Sequence, residues 1–426
     1  MNVLMINTAE KVGGAAIAAN RLMEALKADG VKVKMLVRDR QTGQMSVSSV
    51  KQSWKLPVKF LWERLVVFFN NRFSRRNLFI VDLGNAGVDI SDSFEVQQAD
   101  IIHLHWCNQG FLSLETIDRL LHLGKPVVVT MHNMWYFTAV CQYSGDCSMY
   151  ETGCSRCPIL NGGWPFFDLT RRVYETKARI YGDANMTFVG CSRWITKLAG
   201  RSLLTKGHRV VSIPNPIDMD VYKPLGEEGK RRAREQWNLP TDKHLLLFGS
   251  QKITEERKGF RYLLEACHII HSRYPDYAGK VGIVVVGSNS RKIRQLPRAE
   301  NLLSDIYTVD YITNEHDMVA LFNAVDLYVT PTLQDNLPNT IVESLSCGTP
   351  CVGFGIGGVV EMIDHQVNGY VAEYRNAGDL ADGIIWCLDS GRYPQLCDRA
   401  LEKARSTYSE KNVSRQYIEL YEQLIN

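Results

Sequence analysis

QDNLPNTIVESLSCGTPCVGF, residues 334–354, is the stretch whose reading decides the fold. An acid, Asp335, stands eight residues before a second, Glu343. The run just before it, VDLYVTPT (325–332), reads as a strand, so Asp335 falls on a loop at that strand's carboxyl end. The segment around Ile341–Ser346 reads as a helix with Glu343 in its first turns, and TPCVGF (349–354) as the next strand. Strand, loop, helix and apolar strand in that order make a βαβ unit of a parallel sheet. In such sheets ligands bind at the carboxyl ends of strands. A helix N-terminus there offers free N–H groups to a phosphate or hydroxyl. Two carboxylates at that place can each accept a pair of sugar hydroxyls. The plainer alternative is a surface loop acid followed by a Glu favoured by the helix dipole.

The same rhythm extends in both directions. NVLMIN (2–7), VKVKMLV (31–37), DIIHLHW (100–106), PVVVTMH (126–132), MTFVGC (186–191) and RVVSIP (209–214) read as strands of a first half. HLLLFGS (244–250), VGIVVVG (281–287), IYTVDYI (306–312), DLYVTPT (326–332), TPCVGF (349–354) and GYVAE (369–373) repeat it in a second. Several are apolar nearly throughout, as strands buried on both faces should be. After the first strand, Ile17, Leu22, Met23 and Leu26 share one helical face, and Gly30 supplies the stop. IPNPID (213–218) separates the halves as a hinge. The expected class is α/β, with two doubly wound parallel-sheet domains at 1–213 and 218–408. A terminal helix at 409–426 carries a stripe of Val413, Tyr417, Leu420, Tyr421 and Leu424.

With 426 residues, 45% apolar content and a net charge of +3, the chain suits two soluble domains and gives no charge argument for nucleic acid. The first residues read as a strand, so no secretory signal is expected, and no apolar run is long enough to span a membrane. Eleven cysteines, seven of them scattered in core settings such as Cys267, Cys347 and Cys387, point to a reducing cytoplasm.

The acid–x7–acid pattern of Asp335 and Glu343 resembles that of the family 4 retaining glycosyltransferases. Those usually have Glu at the first position and Gly-Phe-Gly after it; here Asn336-Leu337-Pro338 follows, and Pro338 lacks an N–H. The resemblance implies a GT-B arrangement, two Rossmann-like domains facing a cleft, with the terminal helix crossing back to the first. It implies that Glu343 takes the ribose hydroxyls of a nucleotide-sugar donor. Asp335, with the backbone at Asn336, Leu337, Asn339 and Thr340, would hold the sugar. Lys258, in EERKGF, matches the family's lysine on the donor diphosphate. A second cation is expected from Lys252 or Arg257, because GSQK (249–252) stands where the family has Gly-Arg. Gly357, Gly358 and Glu361 resemble the Gly-Gly-x-x-Glu loop of the donor site, and His132 the histidine that meets the sugar from the first domain. Gly13 and Gly14 follow the first strand and are donor-binding candidates; the resemblance places their loop across the cleft from the donor diphosphate and near the acceptor. They do not make a dinucleotide fingerprint, and no acid closes the second strand. His103 and His105 are expected on opposite faces of their strand. No catalytic metal is implied, since two cations suffice for the diphosphate.

Two features fall outside this pattern. Cys141, Cys147, Cys154 and Cys157 lie within 17 residues, after HNMWYF. They can wrap a structural zinc, form two disulfides, or remain four thiols. The insert resembles a subgroup of family 4 enzymes that build bacterial exopolysaccharides. The stretch 51–79 holds seven Lys/Arg, one acid and interleaved Trp and Phe, among them Trp54. It reads either as an in-plane helix on an anionic membrane or as a core-packing helix with solvated basic ends. The expected partners are a nucleotide sugar, a glycan or lipid-linked acceptor and peripheral contact with the inner membrane's cytoplasmic face, without nucleic acid. The competing readings are a silent sugar-nucleotide-binding scaffold and a GT-B-fold epimerase.

Overall fold

The computed structural model describes residues 1–50, 55–162, 164, 166–253, 255–295, 305–389 and 391–425. Residues 51–54 of the basic-aromatic stretch, Trp54 included, lie outside them. The chain forms two compact units, Met1–Asn215 with Val413–Asn426, and Pro216–Asn412.

The first unit is built on β1 (Asn2–Ala9), β2 (Lys32–Asp39), β3 (Val47–Ser49), β4 (Ile101–Leu104), β5 (Val127–Met131), β6 (Met186–Gly190) and β7 (Arg209–Ser212). They pair in the order β3-β2-β1-β4-β5-β6-β7, every pairing parallel. Alternate residues serve opposite faces, as the pleat requires. Leu4 and Ile6 of β1, Ile102 and Leu104 of β4, and Val127 and Val129 of β5 enter one core. Val3, Met5, Ile101 and Val128 enter the other. Onto this second face packs the helix Glu410–Ile425, through Val413, Tyr417, Leu420 and Tyr421. Burying each such side chain is worth roughly 1.5–3 kcal/mol. The helix is held further by two hydroxyls: Tyr417 meets Thr130 at 2.9 Å, and Tyr421 meets His103 at 2.7 Å.

That bonding corrects the expected placement of the two histidines. Residues two apart in a strand share a face. Accordingly His103 and His105 stack with ring centroids 4.2 Å apart, on the face that receives the terminal helix. The first helix, Gly14–Ala28, buries Leu22, Met23 and Leu26, while Ile17 is only half-buried. The edge strand β3 has no apolar run to announce it; of its three residues only Val47 is buried.

The second unit carries β8 (His244–Lys252), β9 (Val281–Ser288), β10 (Ile306–Val309), β11 (Leu327–Thr330), β12 (Cys351–Phe354) and β13 (Gly369–Ala372). The order is β10-β9-β8-β11-β12-β13, again parallel throughout. Strand order reverses between β8 and β11, so the loops leaving these two strands diverge around a crevice at the carboxyl edge. In an open parallel sheet this is where a ligand has room. No described helix is long and apolar enough to cross a membrane.

Candidate active site

Three loops meet at that switch point. The loop after β8 ends in a short turn, Glu256–Lys258, and Gly259, before the helix Phe260–Arg273. The loop after β11 carries Asp335 and leads into the helix Asn339–Ser346. The loop after β12 carries Gly355, Gly357 and Gly358 before the short helix Val359–Met362.

Asp335 is 7% exposed, and its Oδ2 accepts from Lys258 Nζ at 2.6 Å and from Arg257 Nη1 at 3.2 Å. Its Oδ1 accepts from the Asn336 N–H at 3.0 Å. Burial opposes ionisation, but the two cations and this N–H outweigh it and hold the Asp335 carboxyl below the usual carboxylate range. Arg257 also donates to the Gln334 carbonyl at 2.6 Å and to Glu255 at 2.8 Å. Its own carbonyl accepts from Leu333 N at 2.7 Å and from Thr332 Oγ1 at 3.1 Å. The residues that sequence separated into an acid and two cations therefore form one ion cluster.

Two glycines make the approach possible. Gly259 has φ +71°, and a Cβ there would lie 1.9 Å from the Pro331 carbonyl oxygen. Gly357 has φ +60°, and a Cβ there would lie 2.0 Å from the Asp335 carbonyl oxygen. That carbonyl accepts from Gly358 N at 3.2 Å. Only glycine meets both the left-handed backbone and the close approach. The loop of Asp335 is thus held from both sides. Gly357 was expected in this site; Gly259 was not singled out, although its position directly after Lys258 is the signal that could have found it.

Glu343 is 5% exposed, in the helix Asn339–Ser346. Asn336 and Leu337 are buried, and Asn339 and Thr340 half-buried. Thr340 Oγ1 accepts from the Tyr328 hydroxyl at 2.7 Å. Burial pushes the Tyr328 hydroxyl up, against its hydrogen bond to Thr340, and the acids Asp335 and Glu343 add to the rise. Pro338 precedes the helix, and its carbonyl accepts from Ile341 N at 3.0 Å. Glu361 is half-buried on the short helix. Lys252 is exposed at the end of β8, in register with Ser288 after an irregularity that begins at Gly249. Arg257 is the second cation that the structure brings to Asp335.

In the first unit, Gly13 has φ +93° and opens the helix Gly14–Ala28, with open space where a Cβ would project. His132 Nε2 meets His105 Nδ1 at 3.0 Å, and its Nδ1 meets the Cys191 thiol at 3.5 Å. His103 Nε2 meets Thr130 Oγ1 at 2.7 Å. Burial pushes His132 down to about 4 and, with the His132 charge, His103 down to about 3. A histidine with a folded value below its unfolded one stabilises the fold above about pH 6.5, and that stability is lost as pH falls toward the folded value. Between pH 7 and pH 5, His103 alone should cost about 2 kcal/mol. Denaturant midpoints at the two pH values would measure the loss, and His103→Gln should remove that share. An equal loss in the variant would mean that another group titrates.

The segment after His132 is fixed by a buried lysine. Lys177 Nζ donates to the carbonyls of Trp135 at 2.5 Å and Thr138 at 3.0 Å, and lies 3.4 Å from the Trp135 ring centroid. Burial pulls its pKa down to about 7. Beyond it, Cys141, Cys147, Cys154 and Cys157 line one small cavity of about 20 Å³. All four are free thiols. Burial pushes Cys141 up to about 12 and Cys154 up to about 11, which favours neutral SH groups. Among the described residues, no group of three or more His, Cys, Asp or Glu is spaced to hold a metal ion. The four sulfurs share this one cavity as unlinked thiols.

The profile of the family described as Glycosyltransferase Family 4 matches residues 12–221, and that described as Glycosyl transferases group 1 matches residues 242–390. The putative colanic acid biosynthesis glycosyl transferase WcaC of Escherichia coli is 22% identical over 445 residues, the whole of both chains. An N,N'-diacetylbacillosaminyl-diphospho-undecaprenol alpha-1,3-N-acetylgalactosaminyltransferase of Campylobacter jejuni is 29% identical over 228 residues, 53% of this chain and 57% of its own. Against other curated relatives the chain spans only 50, 61 and 64% of their length. Among solved structures, Anabaena HepE in complex with UDP superposes over 100% of both chains with a TM-score of 0.66 at 16% identity. Paired parallel Rossmann-like units and two family profiles that together reach from residue 12 to residue 390 agree. The chain belongs to the glycosyltransferases of the family 4 and group 1 type, with the GT-B fold.

Proposed function

We propose that this protein transfers a glycosyl group, with retention, from a nucleotide-activated sugar to a saccharide or lipid-linked acceptor in bacterial surface-polysaccharide assembly. The observation that carries the reading is the Asp335–Lys258–Arg257 cluster at the sheet's switch point, with a buried Glu343 on the helix that follows the Asp335 loop. In the absence of donor, Asp335 keeps two cations in place at a site that would otherwise repel them. An arriving diphosphate offers stronger acceptors. Lys258 and Arg257 would turn to it, stabilising the charge that grows on the leaving phosphate. The Asp335 oxygen so released can accept from a sugar hydroxyl. Glu343 takes the ribose hydroxyls. No protein nucleophile is assigned: the leaving phosphate takes the acceptor's proton on the same face.

The names of the relatives support the acceptor class. WcaC belongs to colanic acid biosynthesis, the Campylobacter enzyme's name specifies an undecaprenol-linked acceptor, and HepE was crystallised with UDP. The test is thermal shift against UDP-, GDP-, ADP- and CMP-sugars. A ligand that binds only the folded chain raises its melting point by mass action, by about 2.7 kcal/mol of stability at a hundred times Kd. One nucleotide family should shift the wild type and not Glu343→Gln. A shift without transfer to any acceptor would favour a silent binding protein. No shift at all from folded protein would overturn the site.

A further inference from the structure

The helix Lys55–Asn70 is apolar on the side that faces water. Val58, Leu61, Trp62, Leu65 and Phe69 are 39 to 63% exposed. At about 100° per residue, these positions fall within an arc of roughly 100°. The opposite side buries not only Val67 but the charged pair Glu63 and Arg64. Arg64 is anchored there by the carbonyls of Leu78 at 2.6 Å and Val81 at 2.9 Å. A surface helix usually keeps its charged side toward water; here a charged pair is buried while an apolar stripe faces solvent. The apolar stripe continues past the helix. Phe69 and Phe73 pack with centroids 5.4 Å apart, and Phe73 meets Trp164 at 6.5 Å. Arg72 and Phe73 have φ +53° and +59°, so the chain adopts the disfavoured left-handed backbone while Phe73 remains exposed. Contiguous apolar surface of this kind marks an interaction site.

The rim decides the partner. Lys59, Arg72, Arg75 and Arg76 are exposed around the stripe, and the only acid between residues 55 and 81 is the buried Glu63. A second copy seated by two-fold symmetry would set these cations against each other with no acid in the segment to neutralise them. A surface that is apolar at depth and anionic at its face satisfies both parts. We infer that the stripe from Val58 to Phe73, with Trp164, docks this protein in the plane of a bilayer rich in anionic phospholipid. The aromatic rings enter the headgroup–acyl boundary and the arginines meet phosphates. This inference is independent of the donor-site reading.

The experiment is co-sedimentation of the full chain with vesicles of phosphatidylcholine alone and of phosphatidylcholine with 30% phosphatidylglycerol. Binding should be to the anionic vesicles and weaken as salt rises. Leu61→Ser with Trp62→Ser should reduce it at least tenfold, with melting temperature unchanged because both side chains already face water. Arg75→Glu with Arg76→Glu should reduce it by a different route and serves as the second variant. Equal binding to both vesicle types, no binding by folded wild type, or unchanged binding by both double variants would overturn the proposal. So would a wild-type dimer that the Leu61→Ser, Trp62→Ser variant converts to monomer without any vesicle effect, since the stripe would then join copies of the chain.

Discussion

Lys258→Ala is expected to lower turnover at least a hundredfold with the fold intact. A hundredfold corresponds to about 2.7 kcal/mol of lost transition-state stabilisation, the size of one charged hydrogen bond to a leaving phosphate. The variant keeps Arg257 beside Asp335, so the buried carboxylate retains one cation at 3.2 Å. For that reason the fall should appear in kcat more than in stability. Lys258→Arg can restore the pairing with Asp335 and should recover part of the rate. Turnover would be read with the nucleotide sugar identified by thermal shift, as transfer or as slow donor hydrolysis. Near-normal turnover in Lys258→Ala would remove Lys258 from the chemistry and leave it as a partner that only positions Asp335.

Gly357→Ala and Gly259→Ala should be as damaging by a different path. Each added Cβ would lie about 2 Å from a backbone oxygen of the Asp335 loop, at Asp335 and Pro331, on a backbone with positive φ. Backbone oxygens cannot swing aside as a flexible side chain can. Strain and overpacking together should cost about 2–4 kcal/mol, and the loop should leave the cation pair. The expected result is a lower melting temperature and no nucleotide-dependent shift. Gly13→Ala is the internal comparison. It has φ +93° and ψ 155°, backbone that glycine alone adopts readily, but nothing within 4 Å of the new Cβ, so backbone strain of about 1–3 kcal/mol applies without a clash. Similar losses in all three would show that φ alone, and not the pinned loop, sets the effect.

Much of this architecture was legible because buried parallel strands are continuous apolar runs. VVVTM, LLLF and IVVV could hardly be anything else between helices. Asp335 and Lys258 stood out because each lies on the loop that follows a strand, and Glu343 because it lies in the helix after that loop. What the chain could not disclose was their pairing. Lys258 and Asp335 are 77 residues apart and meet only because β8 and β11 are neighbours across the reversal of strand order. Arg257 reaches Asp335 because the short turn Glu256–Lys258 brings it there, which residue type alone does not disclose. The error at His103 and His105 was one of period: side chains two apart on a strand point the same way, and the stacked rings show it. The helix at 55–70 was ambiguous because composition cannot say which side of an apolar helix faces water. A buried Glu63–Arg64 pair inverts the side that charge would have chosen.

The terminal helix has a consequence for how the protein is made. The first unit needs Val413, Tyr417, Leu420 and Tyr421 to cover one face of its sheet, yet all of Pro216–Asn412 is translated before them. At about 5–20 residues per second, the ribosome leaves that face waiting on the order of ten to forty seconds. Throughout that interval Val3, Met5, Ile101 and Val128 lack the cover of the terminal helix on the nascent chain. The second unit, continuous in sequence, can finish first. Completion of the two units therefore runs opposite to the order in which they are begun: the unit begun at residue 2 is the last to close.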